Sequence, residues 1–146
     1  MTMLSKSDWA HLIPHAGAMC LLEVVIAWDE ATIHAVADDH ARADHPLRGD
    51  KGLHAVHLAE YGAQAMAVHG ALRARARGMA VVRPGMLVSL REVVLEVEYV
   101  DPADGRLDVH ADCLYADDAG SQYAFWIEQN GRRLAGGRAA AIHAQA

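Results

Sequence analysis

His45 and Glu60 are the two residues of this chain whose types and setting point first to chemistry. His45 lies in a polar stretch with Pro46 and Gly49, and Glu60 lies 15 positions later in a helix-forming stretch. An imidazole and a carboxyl group delivered to one apolar cleft make a general base and a general acid near neutral pH. Gln64 follows Glu60 by four residues, so a helix sets both on one face. Burial among small apolar neighbours would raise the Glu60 pKa and favour the proton-donating form.

The residues before Glu60 carry a second pattern. His54, His57 and Glu60 form an H-x-x-H-x-x-E run, and spacings of three make them neighbours on a helix. Such a run is compatible with a metal site. The acid–base reading accounts for more of the chain, so neither a metal nor a dissociable cofactor is expected. Arg73, Arg75, Arg77 and Arg83 cluster on a chain of formal charge −6. They either offset the negative end of the helix or form a docking patch for an acidic partner. Ser89 and Ser121 have no G-x-S-x-G context, and no glycine-rich phosphate loop is present. His40 and His69 read as surface residues.

A helix over residues 53–77 must position this chemistry. It is rich in Ala, Leu, Met, Gln, Glu and Arg and nearly free of β-branched residues. Gly78 is its stop signal. Gly62 and Gly70 lie inside it, each at a cost of about 1 kcal/mol against alanine, which implies close packing against a sheet. Ser7 or Asp8 caps a short helix ending before Pro14. Residues 21–28 and 32–36 read as a hairpin across Asp29-Glu30. Strands are predicted over 86–100, 106–115, 122–129 and 132–143, with Asn130-Gly131 as a tight hairpin turn. The layout is α+β: an antiparallel sheet of five to six strands wrapped around one long helix. Such a sheet leaves an open edge, and pairing with a second copy would cover it.

The 146 residues form one domain, and 53% of them are hydrophobic, enough for an ordinary core. The acidic balance argues against a nucleic-acid partner. No apolar run is long enough to span a membrane, and the N-terminus has no leader-like segment. Cys20 and Cys113 form no C-x-x-C pair, which fits a reduced, cytoplasmic chain.

The stretch from Asp44 to Gln64 resembles the active-site region of the 3-hydroxyacyl-ACP dehydratases of fatty-acid synthesis and their aryl-polyene-pathway relatives. Glu60-Tyr61-Gly62-Ala63-Gln64 is similar to that family's E-x-x-A-Q pattern. Leu12-Ile13-Pro14-His15 resembles its Pro-His element, and Gly85 to Arg91 its tunnel-lining strand. The resemblance implies a hotdog fold and dehydration of a 3-hydroxyacyl thioester on an acyl carrier protein. His45 would remove the C2 proton and Glu60 would protonate the leaving hydroxyl. The backbone amides of Ala55 and Val56 would polarise the thioester carbonyl, Gln64 would orient its neighbours, and His15 would shape the entrance. Arg73, Arg75, Arg77 and Arg83 would meet the carrier protein, and the chain would form a homodimer or pair with a related hotdog subunit. Three features depart from the family pattern: His54-Ala55 stands where Pro-Gly is usual, the His45–Glu60 interval is one longer, and the intervening loop is more polar. They leave room for a catalytically weakened partner subunit. A hotdog thioesterase, using Glu60 to activate water, is the other rival.

Overall fold

A computed structural model describes residues 3–13, 17–79 and 85–143. A two-residue strand β1 (Leu4–Ser5) runs into a single helical turn α1 (Lys6–Trp9). The Ser5 amide donates to the Asp8 carboxylate, so the cap lies two to three residues earlier than the sequence suggests. The hairpin follows as β2 (Val24–Trp28) and β3 (Thr32–Ala37). Asp29 closes its turn by accepting from the Ala31 and Thr32 amides.

The long helix α2 (Leu58–Ala76) follows a 3₁₀ turn over Ala55–His57. Leu58, Tyr61, Ala65, Val68 and Leu72 are all buried. Their spacing of three and four builds one continuous face against the sheet. Gly62 makes that approach possible, because a Cβ there would lie 2.5 Å from the Phe125 ring. Gly70 differs from expectation: a Cβ there would meet nothing within 4 Å. It faces open space rather than the sheet.

Strands β4 (Gly85–Leu95), β5 (Leu107–Ala116), β6 (Gly120–Gln129) and β7 (Arg132–His143) complete one antiparallel sheet of order β1-β2-β3-β5-β6-β7-β4. Seven strands form where five to six were expected, the extra one being the two-residue β1. In β5 and β6, Val109 pairs with Ile127 and Ala111 with Phe125. All four point inward and pack on α2, alternating with outward polar and aromatic side chains. Asn130 and Gly131 both have positive φ, as their tight turn requires. The strand predicted to run to residue 100 ends at Leu95. Beyond it, His54 bridges Tyr99, and the Val100 amide donates to Leu53. This pairing fixes where α2 begins.

β4 lies at the edge of the sheet and is exposed along nearly its whole length, including Met86, Val88, Leu90 and Val94. Cys20 and Cys113 are free thiols. Among the described residues no helix is long and apolar enough to cross a membrane.

Candidate active site

A cavity of about 490 Å³ runs along α2, walled by the helix on one side and by residues of β4, β6 and β7 on the other. Glu60 lines one end of it, and Ala63, Ala67, Gly70 and Ala74 continue its wall down the helix. These small side chains leave the space that Gly70 keeps open. Leu87 of β4 and Ala141 of β7 line it from the sheet. Tyr123, Arg73 and Arg77 also line it, so the end away from Glu60 is polar.

His45 lines neither this cavity nor a second one of about 460 Å³ at the start of α2. Its side chain is 1% exposed. The Leu47 amide donates to its Nδ1 at 3.1 Å, so the ring proton resides on Nε2. That N–H lies 2.9 Å from the Tyr61 hydroxyl and 3.3 Å from an Asp39 carboxylate oxygen. Tyr61 in turn donates to the other Asp39 oxygen at 2.9 Å. Every hydrogen-bonding position of the imidazole is thus occupied. Burial holds its pKa below the usual histidine value, outweighing the opposing pull of Asp39. Within one chain, His45 and Glu60 do not line a common cavity. The loop imidazole is held by Tyr61, which follows Glu60 by one residue, about 100° further round the helix.

The two amides expected to polarise a carbonyl are also engaged. Ala55 donates to the Glu98 carbonyl at 2.8 Å, and Val56 donates to Nδ1 of His54 at 3.0 Å. The His54 ring caps the helix start and rests edge-on against Tyr99. Gln64 is fully buried. Its amide accepts from Leu21 at 2.8 Å and donates to the Met19 carbonyl. It thereby braces the segment leading into β2.

Arg73 and Arg77 converge on Glu30 at 3.1 and 2.9 Å, while Arg75 reaches the Asp8 carbonyl. Arg73 also lies 3.4 Å from the Cys113 sulfur. His15 and Arg83 lie outside the described residues.

His40 and His69 are buried, not on the surface. His69 donates from Nε2 to the Asp29 carbonyl at 2.7 Å and accepts the Tyr123 hydroxyl at Nδ1. The helical spacing from Tyr61, Ala65 and Leu72 to His69 marked it as sheet-facing, but histidine's polarity concealed that. Tyr61 and Asp39 were missed outright, because their pairing joins distant segments.

One long helix wrapped by an antiparallel sheet, with a carboxyl-bearing slot beside the helix, defines a hotdog-fold protein. The chain belongs to the ApeP-like family, described as ApeP dehydratase, whose model matches residues 7–145. It is a member of a hotdog dehydratase family. Among solved structures it resembles a chain of the dehydratase heterocomplex ApeI:P from Xenorhabdus doucetiae, at 24% identity and a TM-score of 0.83. That match covers 93% of this chain and 90% of the other. S. sahachiroi AziG matches at 21% identity and a TM-score of 0.58, over 86% of this chain and 92% of its own. A hypothetical thioesterase from Streptococcus pneumoniae, solved with coenzyme A, matches at 9% identity and a TM-score of 0.56, over 82% of this chain and 84% of its own. No curated protein matches the chain.

Proposed function

We propose that this chain dehydrates a 3-hydroxyacyl thioester carried on an acyl carrier protein, giving the trans-2-enoyl product. The observation that carries the reading is the placement of Glu60. Its carboxyl group lines the end of a slot otherwise walled by Ala63, Ala67, Gly70 and Ala74. Small apolar walls suit an acyl chain, and a carboxylic acid at the slot's end is placed to protonate a departing hydroxyl. Arg77 lies exposed beside the polar end, where it is positioned to meet an acidic carrier protein.

The exposed, apolar β4 edge is covered by a second hotdog subunit, either another copy or a related chain. Leu87 lines the slot and belongs to β4, so that subunit also closes the slot. The purified chain, alone and mixed with a related hotdog subunit, is given a 3-hydroxyacyl-ACP, and loss of water is followed by mass. Wild type forms the enoyl thioester, and Glu60→Gln lowers the rate at least about 100-fold. No enoyl product in either mixture ends the reading.

The sealed state of His45 favours one rival, because a thioesterase needs Glu60 to activate water and has no use for an imidazole base at this loop. The same assay separates the two: release of free 3-hydroxy acid in place of enoyl thioester establishes hydrolysis.

A further inference from the structure

A 3-hydroxyacyl thioester enters a site with a fixed direction. C1 is joined to the sulfur, C3 carries the hydroxyl, and the rest of the chain continues beyond C3. On the dehydratase reading above, Glu60 meets the C3 hydroxyl and the chain follows the slot past Ala63, Ala67, Gly70 and Ala74. The sulfur, and the arm that bears it, must then leave Glu60 in the opposite sense, toward the start of α2. Glu60 is the third residue of that helix, so the arm emerges beside the helix start and the loop before it.

That end of the molecule carries the second cavity, of about 460 Å³. Arg48, Lys51, His54 and His57 line it, against the single carboxylate of Asp50. A four-residue turn builds its rim. Gly49 and Gly52 exchange both backbone hydrogen bonds, at 2.9 and 3.1 Å, and set Asp50 and Lys51 at the tip. Gly52 has a φ of 108°, which glycine adopts without the strain a Cβ would bring. The positive end of the α2 dipole lies on the same side.

The cations of this cavity lack carboxylate partners. The chain has a formal charge of −6, and Lys6, Arg42, Arg73, Arg77, Arg106 and Arg138 each pair with an Asp or Glu. Among the described residues, no ion pair engages Arg48 or Lys51. Arg48 reaches only the carbonyls of Ala41 and Arg42, both at 3.4 Å, and Lys51 is exposed.

We propose that this cavity binds the phosphate of the carrier protein's phosphopantetheine arm, with Lys51 and Arg48 as its cationic contacts. The assignment rests on the dehydratase reading, because the direction of the substrate selects this end of the helix. A phosphate esterified to the arm keeps charged oxygens that suit an ammonium and a guanidinium. Arg77 lies about 26 Å further along the axis from Glu60, at 1.5 Å per residue, so within one chain it stands at the far end of the slot. Two copies paired antiparallel across β4 about a two-fold axis have their α2 helices running in opposite directions. Arg77 of the partner subunit then stands at the same end of the pair as this cavity, where the body of the carrier would sit.

The test follows enoyl formation from one 3-hydroxyacyl group carried on pantetheine, on 4′-phosphopantetheine, on coenzyme A and on the carrier protein, in the assembly that shows wild-type turnover. Wild type should prefer the phosphopantetheine thioester to the pantetheine thioester at least about 10-fold in kcat/KM, mostly through KM. Lys51→Glu should abolish that preference, and Arg133→Glu, an equal charge change outside both cavities, should keep it. Equal kcat/KM for the two thioesters in wild type overturns the phosphate site and leaves the dehydratase reading standing. A preference that survives in Lys51→Glu overturns the assignment to this cavity. A kcat/KM for the coenzyme A thioester equal to that for the carrier protein overturns the carrier as the source of the phosphate. Absence of enoyl product from every thioester ends the dehydratase reading alone, and a phosphorus NMR titration of 4′-phosphopantetheine then decides the site. Broadening of its signal by wild type but not by Lys51→Glu upholds the site, and no broadening by wild type overturns it.

Discussion

The imidazole Nε2 of His45 lies 2.9 Å from the hydroxyl of Tyr61, and Asp39 bonds to both. This buried triad fastens the loop before α2 to the helix itself. It sets the orientation of the loop imidazole against the helix.

Tyr61→Phe should therefore cost stability. It removes the donor to one Asp39 oxygen and one acceptor of the His45 N–H, in a buried setting. Leaving such groups unpaired costs about 1–3 kcal/mol. Urea unfolding should show a lower midpoint with an unchanged slope, and the dehydration rate of the folded fraction should be nearly unaltered.

The two helix glycines should respond in opposite senses. Gly62→Ala drives a methyl to within 2.5 Å of the Phe125 ring, and the overpacking should cost about 1–3 kcal/mol. Gly70→Ala meets nothing within 4 Å and should gain up to about 1 kcal/mol from helix propensity. The same methyl enters the slot, so longer acyl chains should lose activity relative to shorter ones. Thermal melts and a chain-length series measure both effects.

Acidification should destabilise the fold. Burial pushes the imidazoles of His45 and His69 below their ordinary value of 6.5. The unfolded chain therefore takes up protons at these residues at a higher pH than the native one does. Their contribution is fully present above about pH 6.5 and is lost as the pH falls through the lower native values. The melting temperature should be flat from pH 7 to 8 and should decline below pH 6.5. His69→Gln should flatten that decline.

The β4 edge should control assembly. Val88 and Val94 are 51% and 54% exposed on a strand with one open side. Placing charge on both, as Val88→Lys with Val94→Lys, should block pairing at this edge. Sedimentation velocity should then show a monomer where wild type sediments as a larger species. A larger species that persists in the double variant places the contact elsewhere.

The elements of this fold were readable along the chain because their signals are local. Small, unbranched residues specify the helix, alternation specifies β5 and β6, and Asn130-Gly131 specifies the turn between β6 and β7. The glutamate of the site was readable for the same reason: Glu60-Tyr61-Gly62-Ala63-Gln64 is a contiguous pattern on a single helix. Only the tertiary structure decided which partners the loop imidazole of His45 takes. Hydrogen bonds among Asp39, His45 and Tyr61 join segments up to 22 residues apart, and nothing in their spacing announces which partner an imidazole will take. Burial decided it: inside a core every polar atom must find a bond, and His45 found its bonds with Tyr61, Asp39 and the Leu47 amide.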